Sequence, residues 1–158
     1  MNVHGLVPDR VPQESATPER ILKIALTALR RGDFVEVVNQ FDDHFIFIDH
    51  ALKLEFKDKG RLIDFFVKTN ELFPDSERTD DISLRDATYA ISQWTLTATK
   101  SEPFFGQRIL RIPIRAEGVS IVRAAHGRII EWSDYYDQIR ARRYSVAPWF
   151  TDSNSDCC

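Results

Sequence analysis

Residues 118–137 read GVSIVRAAHGRIIEWSDYYD, and the spacing of apolar side chains in this stretch decides the fold. Apolar and polar positions alternate with a period of two on both sides of Ala124-Ala125-His126-Gly127, as they do in strands with one buried face. A link that short permits a hairpin, whereas a parallel crossover needs a dozen residues or more. The same period runs upstream through 82–85, 89–99 and 108–122. The chain after Pro74 is therefore expected to form an antiparallel sheet, its last two strands at 108–122 and 128–136.

The first half of the chain has the other period. Thr17 can accept from the free N–H groups of a first helical turn, Pro18 suits the first helical position, and Glu19 complements the positive helix end. Ile21, Leu22, Ala25, Leu26 and Leu29 then share one face at helical spacing, and Gly32 supplies a left-handed stop after Arg30 and Arg31. Asp33 caps a second, shorter helix carrying Phe34, Val37, Val38 and Phe41. The β-branched and aromatic run at 45–49 reads as a short strand. Asp58 opens a third amphipathic helix with Leu62, Phe65, Phe66 and Leu72, and Pro74 ends it. Three N-terminal helices packed into a curved, mostly antiparallel sheet make an α+β fold, not a doubly wound one.

With 158 residues and 43% hydrophobic side chains, one core and one domain are expected. Residues 1–16 read as a flexible arm, 17–150 as the domain, and 151–158 as a disordered polar tail. The net charge is −3 and Lys and Arg are scattered, so neither nucleic acid nor an anionic membrane is an expected partner. No apolar run approaches the ~20 residues of a membrane span, and the opening MNVHGLVPDRVPQES lacks the basic and apolar regions of a signal peptide. A cytoplasmic protein is expected. Cys157 and Cys158 lie together in the tail, with neither a lipidation ending nor metal partners around them. His4, His44, His50 and His126 show no ligand spacing, and no Gly-rich phosphate loop or Ser-His-Asp set is present. No metal or cofactor is expected.

The segment QWTLTATKSEPFFGQ (93–107) together with 118–137 resembles the SnoaL-like polyketide cyclase branch of the nuclear-transport-factor-like superfamily, and ALTALRRGDFVEVVNQFDDHF (25–45) is similar to its first two helices. The resemblance covers nearly everything from Thr17 to Asp137. It implies a cone of helices and sheet around an apolar pocket, but not one reaction, since the fold hosts cyclases, ketosteroid isomerase, limonene epoxide hydrolase, dehydratases and proteins without catalytic activity. In the hydrolase the acid of the matching WxDYY run points into the pocket; here that acid is Asp134. Alternation then turns Ile130, Trp132, Asp134 and Tyr136 inward, and Glu131, Ser133 and Tyr135 outward.

FDDHFIFID (41–49) resembles the stretch of ketosteroid isomerase that ends in its catalytic base, which corresponds to Asp49. Two inward carboxylates on opposite walls are expected. Burial near Phe47, Trp94, Leu96 and Trp132 should raise their pKa and make them better proton acceptors near neutrality. Other family positions differ. The hydrolase's Arg and Asp, two residues apart on a middle strand, match Trp94 and Leu96, which disfavours epoxide hydrolysis by that mechanism. The isomerase's oxyanion-binding Tyr and carboxyl match Ala25 and a position near Gly118, and a cyclase His on the penultimate strand matches Ser120. Glu117, beside Gly118, should point outward, and His50 reads as an exposed loop residue.

These residues lead to a cofactor-independent cyclase or isomerase acting on a cyclic, polyketide-like or terpenoid-like carbonyl compound. Asp134 is the expected base, Asp49 the second carboxylate, and Trp94, Trp132, Tyr136, Phe47, Leu96 and Ser120 the substrate-binding set. The alternative is a binder that holds an apolar small molecule unchanged in the same pocket. A homodimer is also expected, through an outer sheet face made of Ile109, Arg111, Pro113, Arg115, Val119 and Ile121, because Arg mixed with apolar residues is typical of interfaces.

Overall fold

The start at Thr17 opens helix α1 (Pro18–Arg30): the Thr17 side chain accepts from the Arg20 N–H, and Gly32 takes the left-handed conformation after the last turn, at φ 71°. Helix α2 (Phe34–Asn39) is capped by Asp33, and α3 (Lys59–Leu72) by Asp58. The strands are β1 (Phe41–Asp49), β2 (Leu54–Phe56), β3 (Glu77–Arg85), β4 (Tyr89–Phe104), β5 (Arg108–Ala125) and β6 (Arg128–Tyr136). This computed structural model describes residues 16–104 and 108–137. The expected arm, but for its last residue, and the tail at 151–158 lie outside them.

The six strands form one curved sheet in the order β2-β1-β6-β5-β4-β3. Every neighbouring pair is antiparallel except β1 and β6, which run parallel. The expected α+β architecture with three helices is the one found. Helix α1 lies against β3, β4, β5 and β6, while α3 packs on α2 and β2. The core sits between these layers. Ile21, Leu22, Ala25 and Leu26 meet Ala90, Val122 and Ile129, and an aromatic cluster of Phe41, Phe45, Phe47, Phe56, Phe65 and Trp132 fills the β1–α3 side. Phe41 stacks on Trp132 at 5.9 Å between ring centres, and Phe47 meets Phe66 edge-on at 5.8 Å. Burying each such ring contributes about 1.5–3 kcal/mol.

The elements depart from the expectations: β1 begins at Phe41 rather than at 45, β3 at Glu77 rather than at 82, and three further differences have clear causes. Phe41 does not continue α2 but opens β1, buried against Trp132. A β-bulge breaks the alternation of the final strand: Arg123 faces Glu131, but Ala124 faces Ile129. Ile129 is therefore fully buried and Ile130 is displaced from the inner face, against the uninterrupted period of two. Strand β2 had no counterpart in the periodicity. It forms because Asp49 Oδ1 accepts from the Leu52 N–H at 2.8 Å and Lys53 turns the chain at φ 58°, so Leu54–Phe56 folds back along β1.

Candidate functional site

Parity and register bring one polar row onto the inner face of the sheet. Asp49 on β1 lies opposite Asp134 on β6, Asp134 opposite Ser120 on β5, and Ser120 opposite Ser92 on β4. Below this row are Phe47, Trp132, Val122 and Ala90; above it are Tyr136, Gly118, Trp94 and Asp80. The two carboxylates are thus neighbours on adjacent parallel strands. The expectation of opposite walls fails because β1 pairs with β6 rather than across the cone from it.

Asp134 is held on one side only. Its Oδ1 accepts from Ser120 Oγ at 2.5 Å and from Trp132 Nε1 at 2.7 Å. Ser120 Oγ accepts from Trp94 Nε1 at 3.0 Å and from Arg78 Nη2 at 2.9 Å. Those two donors occupy both lone pairs of the hydroxyl, so its one proton must go to Asp134. Asp134 Oδ2 accepts nothing from the described residues. Because no buried side-chain oxygen among them lacks a partner, Oδ2 is the oxygen open to the cavity that Asp134 lines. Burial pushes the Asp134 carboxyl up from its ordinary pKa, against the opposing pull of Arg78 and the two hydrogen bonds.

Asp49 is differently placed. It is 4% exposed, and its Oδ2 accepts from the Tyr136 hydroxyl at 2.9 Å while Oδ1 is taken by the turn at Leu52. Burial raises its pKa to about 6, with a further push from the Asp134 charge. Tyr136 is pushed upward by burial and by the Asp49 carboxylate, so it remains a protonated donor.

The cavity in front of these groups has a volume of about 520 Å³. Phe34, Phe47, Phe65, Phe66 and Phe73 make its apolar wall, and Asp49, Asp134, Tyr136, Trp94 and Arg78 its polar end. Trp94, Tyr136, Phe47 and Leu96, of the expected substrate-binding set, line it. Trp132 and Ser120 do not: Trp132 is 2% exposed in the aromatic core and acts on the cavity through Asp134, and Ser120 is fully buried and acts through Asp134, Trp94 and Arg78. Of the remaining family positions, Ala25 is core, and Glu117 points outward to an ion pair with Arg115. His50 is exposed and stacks on Tyr135 at 4.0 Å.

Sequence reasoning missed Arg78 and Asp80. They occupy inward positions of β3, opposite Leu96 and Trp94 respectively, so an Arg and an Asp two residues apart do face the site, one strand away from the matching family position. Arg78 Nε donates to Asp80 Oδ1 at 2.9 Å, and its guanidinium lies 4.6 Å from the Trp94 ring centre. Asp80 also accepts from Ser92 at 3.0 Å and from Arg30 at 3.4 Å. Gly118 makes the layer possible. A Cβ there would collide with the Trp94 ring, so only glycine lets the indole cross β5 to reach Ser120. The one signal in the sequence is the inward parity of positions 78 and 80, visible only when β3 is started at Glu77.

In comparison with known proteins, no curated protein matches the chain in sequence. Among solved structures it is similar to an NTF2-like protein from Burkholderia thailandensis E264, with 13% identity over 78% of this chain and 93% of that one and a TM-score of 0.68. It is also similar to a SnoaL-like polyketide cyclase from Agrobacterium tumefaciens str. C58, with 17% identity over 81% of this chain and 97% of that one and a TM-score of 0.61. At such identities the likeness is one of fold. The family model that matches is that of the SnoaL-like polyketide cyclases, over residues 19–143. That span takes in all three helices but for Pro18, the six described strands and every residue of the polar row, and the chain belongs to the SnoaL-like polyketide cyclase family.

Proposed function

We propose that the protein is an enzyme that removes a proton from the carbon next to a carbonyl in a small, largely apolar cyclic or polyketide-like molecule, leading to ring closure or isomerisation. The observation that carries this reading is the one-sided bonding of Asp134. With Oδ1 fixed by Ser120 and Trp132, Oδ2 is oriented toward the cavity and poorly solvated, as a carboxylate base requires. Asp49 accepts from the Tyr136 hydroxyl, which lines the same space, and the Phe wall makes its surroundings apolar. The chemistry asks only for a placed carboxylate and an apolar cavity. Exchange of α-hydrogens for deuterium in a panel of cyclic ketones and β-diketones, followed by NMR, tests it whatever the natural substrate is. Wild type should accelerate exchange in at least one compound, and Asp134→Asn should lose about 10²-fold or more of that acceleration. Full activity in Asp134→Asn would remove the assignment. A ligand retained through purification and never altered would favour the binder instead.

We further propose a homodimer through the outer face of the sheet. Ile48, Ile121 and Ile91 are aligned there across β1, β5 and β4, with Val119 and the exposed Tyr135 beside them and the Arg123–Glu131 and Arg115–Glu117 pairs around them. Pro113 and Arg115 are exposed on the same face; the side chains of Ile109 and Arg111 fall outside those described. A two-fold contact brings each substitution to the interface twice. Sedimentation should give a dimer at micromolar concentration, and Val119→Asp with Ile121→Asp a folded monomer. A monomeric wild type would end the idea.

A further inference from the structure

We propose that Arg78 binds the carbonyl oxygen of the substrate and holds the negative charge that oxygen gains, so that the cavity accepts an uncharged carbonyl compound and carries it through an enolate. This rests on the reading of Asp134 as the base. A guanidinium has five N–H donors. Arg78 directs Nε to Asp80 and one hydrogen of Nη2 to Ser120. Nη1 makes no hydrogen bond to the described residues, and because no buried side-chain nitrogen among them lacks a partner, its two N–H groups are reachable from the cavity that Arg78 lines. The side chain itself is only 12% exposed.

The group is also fixed. Asp80 holds one edge, Ser120 the other, and the Trp94 ring one face at 4.6 Å, with the Gly118 backbone behind the indole. A donor that needs no rearrangement as charge develops is what stabilises an oxyanion. Arg78 and Asp134 are bonded to the same Ser120 hydroxyl, so cation and base flank one short span of the cavity end.

Charge selects the substrate class. At neutral pH the carboxylates of Asp49, Asp80 and Asp134 face one buried cation, Arg78, at this end of the cavity, and Arg30 reaches Asp80 from an exposed position. An anionic ligand would add a further negative charge beside a Phe-lined wall, which is costly at low dielectric. An uncharged ketone adds none. Asp134 Oδ2 takes the α-proton, the C–H electron pair becomes the C=C bond, and the carbonyl π pair moves onto oxygen. The negative charge of Asp134 has then passed to the oxygen at Arg78. The enolate either takes the proton back at another carbon or attacks a second carbonyl of the same molecule, forming a C–C bond, and the resulting alkoxide takes the proton from Asp134. No electrons leave the system.

Phenolates are planar enolate mimics, and Asp134→Asn stands in for the protonated base. Bound to Asp134→Asn, para-nitrophenol should be more ionised than in solution at the same pH, as read from its absorbance. Adding Arg78→Met should abolish that excess and weaken phenolate binding about ten- to a hundredfold, the loss of charged hydrogen bonds. Arg78→Lys should be intermediate, because it keeps the charge and loses the fork. If Arg78→Met fails to fold because Asp80 has lost its buried cation, combining it with Asp80→Asn removes that carboxylate and gives the same readout. Equal phenolate affinity with and without Arg78, or binding of only the neutral phenol by folded Asp134→Asn, overturns the proposal. The two readings fail separately: α-exchange surviving in Asp134→Asn removes the base but leaves the phenolate measurement intact.

Discussion

Residue by residue, the site depends on atoms that leave no room for alternatives. Gly118 is the sharpest instance, since its missing Cβ is the space in which Trp94 lies, with the Tyr135 carbonyl oxygen 2.6 Å from the same point. Gly118→Ala should therefore displace the indole, break its bond to Ser120 and cost about 1–3 kcal/mol of stability through overpacking. Denaturant midpoints and the NMR signal of the Trp94 indole N–H report the two effects, and an unmoved signal would contradict this account. Asp134, Asp49 and Ser120 are legible in the sequence because a strand's parity and a resemblance fix which side chains turn inward. Arg78 and Asp80 are not. They lie in Glu77-Arg78-Thr79-Asp80-Asp81, which is polar at every position and so has no alternation to read. Their burial is tolerable because they pair with each other and are bonded further by Ser120, Ser92 and Arg30, and such pairing is a property of the folded chain.

Among the elements, the β5–β6 hairpin shows what local sequence can and cannot specify. Its link is evident from the sequence, and the two-residue turn at His126 and Gly127 has φ of 51° and 75°. Positive φ at both positions suits Asn-Gly far better than His-Gly. His126→Asn should therefore raise stability by about 0.5–1 kcal/mol, seen as a higher denaturant midpoint with an unchanged slope; a lower midpoint would mean that His126 makes a contact worth more than the strain. Two residues later the bulge reverses the facing of Ile129 and Ile130. No pattern in Arg128-Ile129-Ile130-Glu131 marks it, because two adjacent isoleucines fit either register equally well. Phe41 escapes for a similar reason. It is four residues after Val37, a helical spacing, yet α2 ends at Asn39 and the Phe is consumed by the aromatic cluster.

For the molecule as a whole, stability should depend on pH through the buried carboxylates. Asp49 has a pKa of about 6 in the folded state against 3.8 ordinarily, so between those values the folded protein binds the extra proton. Stability therefore falls as pH rises through that window. The full effect is about 3 kcal/mol, and Asp134, raised in the same direction, adds to the trend. Melting temperature measured from pH 4 to 7 should decline more steeply for wild type than for Asp49→Asn; parallel curves would show that Asp49 does not titrate there. The order of strands in the sheet also bears on how the chain reaches this state. Strand β1 has β2 on one side, but its other neighbour is β6, the last strand among the described residues. During synthesis it waits, with that edge open, while α3, β3, β4 and β5 emerge. Neither the juxtaposition of Asp49 with Asp134 nor the enclosure of the cavity exists until the ribosome has released residues 128–136. Pairings so distant in sequence are slow to form, and an edge left open is a template for the wrong partner. A polypeptide ending after Ala125 is thus expected to aggregate rather than to persist as a partial fold.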